Sequence, residues 1–209
     1  WCDAREVLRV RAEELGVMVD WAQSQALFDT LRDRQPSTRY VVTGFVARDG
    51  EGRATTLGRN GSDYSGAIFG ALADAAEVHI WTDVDGVYSA DPRAVPEAVL
   101  IPELSYHEAC ELAYFGAKVI HPQTMAPAIE RQIPIYIRNS FNPSHRGSRI
   151  SAERSLEPPV KGVSAFGGLA ILNVEGAGMI GVPGTAERVF GALRHGSISV
   201  VMISQGSSE

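Results

Sequence analysis

The sequence predicts an α/β protein: a three-layer sandwich with a largely parallel sheet, followed by part of a small α+β unit. Three observations carry this reading. Short apolar runs at 39–47, 77–82 and 134–139 alternate with stretches of helical periodicity, the order that gives parallel strands joined by helices. Residues 142–160 are rich in Pro, Ser, Gly and charge, which marks a linker. Beyond it the pattern restarts, with strands expected at 169–174 and 197–204 around a helix at about 185–194. The expected division is therefore 1–150, a linker at 151–160, and a second unit at 161–209.

The elements follow in order. Residues 4–15 and 22–34 read as helices, with Val7, Leu8 and Leu15 on the apolar side of the first and Ala26, Leu27 and Leu31 on that of the second. Pro36-Ser37 ends the second helix, and 39–47 (RYVVTGFVA) reads as a largely buried strand. Asp49-Gly50-Glu51-Gly52 is a turn. Ser62 or Asp63 is expected to cap a helix that runs through Ala75. The small side chains of that helix, among them Gly66, Ala67, Gly70 and Ala71, suit close packing on a sheet. Residues 77–82 (EVHIWT) form the second strand. Ser105, with Glu108 three residues on, forms a capping box that opens a helix over 106–115. Pro122 suits the first turn of the next helix, to about Gln132, and 134–139 (PIYIRN) is the third strand. In the last unit Ala186, Val189, Phe190 and Leu193 share one helix face.

Length and composition narrow the function classes. A chain of 209 residues holds one domain and part of a second, with ordinary globular apolar and charged fractions. A net charge of −6 argues against a nucleic-acid partner. The apolar runs are all broken before membrane-spanning length, and no secretory signal opens the chain, so no membrane partner is expected. The chain opens on Trp1 rather than Met, which suggests that residue 1 lies inside a longer protein. Cys2 and Cys110 lie far apart with no CxxC spacing; reduced thiols in the cytoplasm are expected rather than a disulfide or a zinc site. The five histidines are scattered without metal-ligand spacing.

Three segments carry chemistry. In Gly58-Arg59-Asn60-Gly61-Ser62-Asp63, glycines near a helix start free backbone N–H groups to face an anion, and Arg59 suits a carboxylate. Asp63 there either caps the helix or faces a ligand. The segment is not a P-loop, because the GxxxxGK[ST] spacing is absent. The second segment, TDVDGVYSADPR at 82–93, directly follows a strand, where ligands collect in open α/β sheets. Thr82 and Asp83 suit ribose or base edges, Tyr88 can cover a base and Arg93 can neutralise phosphate; the alternative is a long polar turn. The segment lacks the remaining ligands of a calcium loop. The third is FGAKVIHP at 115–122, where Lys118 among apolar residues either meets a phosphate or is a solvated loop lysine.

Taken together, LGRNGSDYSGA, WTDVDGVYSADPR and ELAYFGAKVIHPQT, in this order and spacing, closely resemble the aspartate kinases of the amino-acid kinase family, over essentially the whole chain. RNGSD and the tail VVMISQGSSE are most similar to the bifunctional aspartate kinase–homoserine dehydrogenases. The resemblance implies the amino-acid kinase fold and transfer of the ATP γ-phosphoryl group to the side-chain carboxylate of L-aspartate, with Mg²⁺ on the nucleotide. It implies that Arg59, with Asn60, Gly61 and Ser62, holds aspartate, and that Asp63 organises the catalytic lysines. Thr82, Asp83, Tyr88 and Arg93 would bind ATP, and Lys118 would reach its phosphates.

The resemblance extends to 161–209, which look like the start of an ACT regulatory region. Segments 178–188 and 199–209 resemble its effector-binding elements, and Gln205 is the candidate contact for an amino-acid inhibitor such as threonine or lysine. A homo-oligomer is implied as well. The Lys-Phe/Tyr-Gly-Gly motif with which family members begin is not in this sequence, nor is a later acidic substrate residue. These 209 residues alone are therefore not expected to turn over. A relative that phosphorylates another amino acid, or a non-catalytic amino-acid sensor, are the competing readings.

Overall fold

The computed structural model describes residues 1–13, 16–37, 39–114, 121–153, 158–165, 167–176, 182–204 and 206. The chain forms two units, Trp1–Phe166 and Gly167–Glu209.

The first unit opens with α1 (Ala4–Val7), capped by the Asp3 side chain, which accepts from the Arg5 N–H at 2.9 Å. The chain then turns extended at Leu8 and forms an antiparallel pair, β1 (Val10–Glu13) with β2 (Gly16–Val19). The helix expected over 4–15 is thus a single turn. Val7, Leu8 and Val10 are buried in this arrangement, and their apolar pattern fits one turn plus a strand as well as it fits a helix. Tertiary bonds decide: the Arg9 N–H donates to Ser24 Oγ at 3.0 Å, and Arg9 bridges to Arg48. The second expected helix forms as α2 (Trp21–Arg34), with Asp20 accepting from the Gln23 N–H. A hairpin of β3 (Val46–Arg48) and β4 (Ala54–Thr56) follows. The strand expected over 39–47 is therefore mostly lost, because Phe45 takes a left-handed conformation at φ 73° and breaks the extension. Leu8, Val10, Phe28, Ala47 and Leu57 form the core here.

A four-stranded mixed sheet forms the second core. Its strands are β5 (Val78–Thr82), β6 (Glu103–Ser105), β7 (Ile135–Asn139) and β8 (Ser148–Ser151), in the order β5-β7-β8-β6. The β5–β7 and β6–β8 pairs are parallel, and β7–β8 is antiparallel. Neither β6 nor β8 was expected, and β8 corrects the linker reading of 142–160. Ser148 and Ser151 made that stretch look solvated, yet both are buried. The Ser148 hydroxyl donates to the Ile101 carbonyl at 2.6 Å and accepts from the Val87 N–H at 2.9 Å, so its polarity is satisfied internally.

Three helices, α3 (Gly61–Leu72), α4 (Tyr106–Tyr114) and α5 (Pro122–Glu130), cover one face of this sheet, with Ala67, Ala109, Met125 and Ala128 against Ile80, Leu104, Ile135, Ile137 and Ile150. Helix α3 also joins the first core through Ile68 and Leu72. Its small residues serve close approach: a Cβ on Gly70 would meet Val78 Cγ2 at 2.5 Å. The helix ends at Leu72, not Ala75, as Asp74 turns left-handed at φ 50°. The capping box forms as expected, with the Ser105 N–H donating to Glu108 Oε2 at 2.7 Å and the Glu108 N–H to Ser105 Oγ at 3.2 Å. Pro122 opens α5.

This topology sets an edge. Helix α3 and strand β5 pack together, joined by residues 73–77, and both are roughly 17–18 Å long. The N-terminus of α3 therefore returns to the edge where β5 ends. Helix α5 stands in the same relation to β7.

In the second unit, α6 (Thr185–His195) begins after Gly184 in a left-handed conformation. Val189 and Leu193 are half-buried on the expected face, while Ala186 and Phe190 are exposed. The strands expected at 169–174 and 197–204 do not form among the described residues, and Ile171 and Met202 there are exposed. Two short strands flanking one helix have too little sheet of their own to form a stable ladder.

Candidate active site

The segment 57–63 reaches the sheet edge through two left-handed residues, Gly58 at φ 78° and Asn60 at φ 56°. Asn60 is the N-cap of α3 and makes no side-chain capping bond, so the expected capping role of Ser62 or Asp63 does not hold. Arg59, Asn60 and Ser62 are exposed, whereas Gly61 is buried. The loop has a backing that sequence reasoning missed. The Ser65 hydroxyl donates to the Gly61 carbonyl at 2.7 Å and accepts from the Phe45 N–H at 2.8 Å. The Leu57 N–H donates to the Phe45 carbonyl at 2.9 Å. Gly44 packs beside Ser62, where a Cβ would stand 3.7 Å from the Ser62 Cα. The available signal was Gly44 inside a strand-like run, which often marks a close backbone approach.

Asp63 sits half-buried in the first turn of α3. Burial raises its pKa above the usual carboxylate value, and a hydrogen bond from the Ser62 side chain offsets part of the rise. No ion pair among the described residues involves Asp63. A desolvated carboxylate of this kind suits a nearby cation, either a lysine or a metal carried by a nucleotide. No group of three or more His, Cys, Asp or Glu among the described residues could hold a metal ion unaided.

The second loop leaves the same edge. Thr82 closes β5 beside Asn139 of β7, its carbonyl accepts from the Ser140 N–H at 2.8 Å, and its hydroxyl donates to Asp83 Oδ1 at 3.2 Å. Tyr88 is half-buried and bridges to Leu100, so the chain returns upon itself and holds 91–93 as an exposed turn. The Asp91 side chain accepts from the Arg93 N–H at 3.0 Å, which leaves the Arg93 side chain exposed. The structure thus brings residues 59–63 and 82–83 to one sheet edge and carries Tyr88 and Arg93 on the excursion that follows. Lys118 and Gln205 lie outside the described residues.

His121, the N-cap of α5, is also at this edge, and its Nδ1 is buried with no hydrogen-bond partner among the described residues. Sequence reasoning missed Asp85, Asn139 and Ser148 as supports of the second loop. On the sheet face away from the helices, His79 stacks on Tyr136 and Arg138 lies over Trp81, beside a cavity of about 420 Å³. None of the expected site residues that are described lines it.

The chain belongs to the amino acid kinase family, whose family model matches residues 2–139; an ACT domain model matches residues 172–209. Within that family its similarity is to aspartokinases. It is 48% identical to bifunctional aspartokinase/homoserine dehydrogenase 2, chloroplastic, of Arabidopsis thaliana, across 100% of this chain and 24% of the relative. Among solved structures it resembles E. coli aspartokinase III in complex with aspartate and ADP, at a TM-score of 0.81 and 32% identity, across 100% of this chain and 47% of the other. The same enzyme in complex with lysine and aspartate matches at a TM-score of 0.77 and 31% identity, across 100% of this chain and 48% of the other. The chain therefore spans about a quarter of the bifunctional relative and about half of aspartokinase III.

Proposed function

We propose that this chain forms part of an aspartate kinase. The reaction is transfer of the γ-phosphoryl group of ATP to the side-chain carboxylate of L-aspartate, giving 4-phospho-L-aspartate, the first step toward lysine, threonine and methionine. One observation supports this above the others: the start of α3 and the loop after β5 lie at the same edge of the sheet. Phosphoryl transfer needs little covalent chemistry from the protein and much positioning and charge neutralisation, which cations and backbone N–H groups at such an edge supply.

In this reading Arg59, with the backbone of Asn60 and Gly61 and the Ser62 hydroxyl, holds the aspartate carboxylates. Asp63 orients the cationic groups, including Lys118, that receive the phosphates. Thr82 and Asp83 take the ribose or base, Tyr88 covers the base, and Arg93 meets phosphate. Mg²⁺ on the nucleotide supplies further neutralisation of charge at the phosphates when bound. Residues 1–150, together with the rest of β8 and the segment to Phe166 that packs on them, contribute to the catalytic domain, and the residues beyond belong to an ACT regulatory region. That region would take threonine or lysine, with Gln205 as a contact, in a homo-oligomer. The free thiols Cys2 and Cys110 suit a reducing compartment, the cytoplasm.

Hydroxylamine trapping of the acyl phosphate tests the assignment in the protein that carries this chain. Arg59→Ala is expected to raise KM for aspartate, and Lys118→Ala to lower kcat. Unchanged kinetics in both variants would sink it. The ACT match favours one further reading, an amino-acid sensor without catalysis, for which effector binding would occur with no affinity for ATP.

A further inference from the structure

The loop after β5 is tied down by a side-chain clasp. Asp85 Oδ1 accepts from Asn139 Nδ2 at 2.8 Å and from Asn142 Nδ2 at 3.2 Å. Asn139 is itself oriented, because its Oδ1 accepts from the Phe141 N–H at 2.8 Å. One residue on either side of the clasp is also fixed. The Thr82 carbonyl accepts from Ser140, and the Val87 N–H donates to the buried Ser148 hydroxyl. Between them Gly86, at φ 150°, passes so close to β8 that a Cβ would meet Ser148 Oγ at 2.5 Å. The turn carrying Asp83 thus hangs from β7 through Asp85 and from β8 through Val87.

We infer that Asp85 is a positioning residue, whose carboxylate, held by Asn139 and Asn142, fixes the turn after β5 in the conformation that takes nucleotide. This rests on the nucleotide reading of that loop proposed above. The clasp needs an acceptor oxygen at position 85 and a donor at position 139, not a charge facing the ligand. A direct metal ligand would instead need the charge itself.

That difference makes the test specific. The probe is ADP with Mg²⁺, titrated calorimetrically into the full 209-residue chain, with the melting temperature recorded for each variant. Asp85→Ala removes the acceptor, and Asn139→Asp sets two carboxylates against each other; each is expected to weaken binding about tenfold. Asp85→Asn keeps the acceptor oxygen and is expected to stay within about threefold of the unaltered chain. The double variant Asp85→Asn/Asn139→Asp exchanges donor and acceptor and is expected to recover the affinity lost in Asn139→Asp. If Asp85→Ala fails to fold, the Asn139→Asp and exchange variants decide. Binding by the unaltered chain that Asp85→Ala and Asn139→Asp leave unchanged overturns the clasp alone, as does an exchange variant no better than Asn139→Asp. No binding by the unaltered chain overturns the nucleotide reading together with the clasp.

Discussion

The Phe45 ring occupies the space that a side chain at Gly61 would need: a Cβ there would stand 2.7 Å from Phe45 Cδ2 and 3.1 Å from Leu57 Cβ. The loop before β3 and the start of α3 are therefore fitted to each other. Gly61→Ala must displace Phe45, whose φ of 73° is already unfavourable. Its expected cost is about 1–2 kcal/mol in chemical denaturation. A neutral result would mean that the Phe45 ring yields freely and does not define the loop.

Asp63 is a candidate for a stability cost borne for function. Burial raises its pKa, so the ionised form is disfavoured in the fold relative to the unfolded chain. Asp63→Asn is therefore expected to raise the melting temperature at pH 7 while lowering turnover of the protein that carries this chain. The gain belongs to the pH range above the raised folded pKa. It shrinks as pH falls through that value and vanishes below the unfolded value of about 3.9, where both forms are neutral. A melting temperature lower than that of the unaltered chain at pH 7 would contradict this.

Glu108 behaves in the opposite sense. Burial alone would raise its pKa, but hydrogen bonds from the Ser105 N–H, from Lys161 at 2.9 Å and from the Ser105 hydroxyl together bring it below the usual value. A depressed folded pKa stabilises above the unfolded pKa and loses that contribution as pH falls through the folded one. Stability should accordingly fall as pH drops below about 4.3. Glu108→Gln is expected to cost about 2 kcal/mol at neutral pH and to flatten this acid limb, as read from melts between pH 7 and pH 3.

Two glycines should respond with opposite signs. Gly66 lies exposed inside α3 with nothing near its missing Cβ among the described residues, so Gly66→Ala is expected to stabilise by about 1 kcal/mol. Gly147, at φ 76°, would drive a Cβ into the Ile137 carbonyl oxygen, and Gly147→Ala is expected to cost about 3 kcal/mol. Equal effects in denaturant melts would show that β7 and β8 are less closely fitted than described.

What was legible in the sequence is what is local in the structure. The Ser105–Glu108 box and Pro122 at the start of α5 need only residues three or four apart, and both formed. The two candidate loops could each be singled out because each is one contiguous segment. By contrast, Val7, Leu8 and Val10 are buried whether the chain there is helix or strand, so their pattern could not decide. Ser148 reads as solvated until its two internal partners, Ile101 and Val87, are known. The Asp85–Asn139 clasp spans 54 positions, and nothing near either residue announces the other. A left-handed Phe45 likewise has no local signature.

The edge formed by residues 59–63 and 82–93 is proposed to take a nucleotide. The most direct measurement is a calorimetric titration of the 209-residue chain with ADP and Mg²⁺, beside titrations with threonine and with lysine. Saturable one-to-one nucleotide binding is expected, weakened at least about tenfold by Arg93→Ala. Binding of threonine or lysine with no nucleotide affinity, or nucleotide binding indifferent to Arg93, would contradict it.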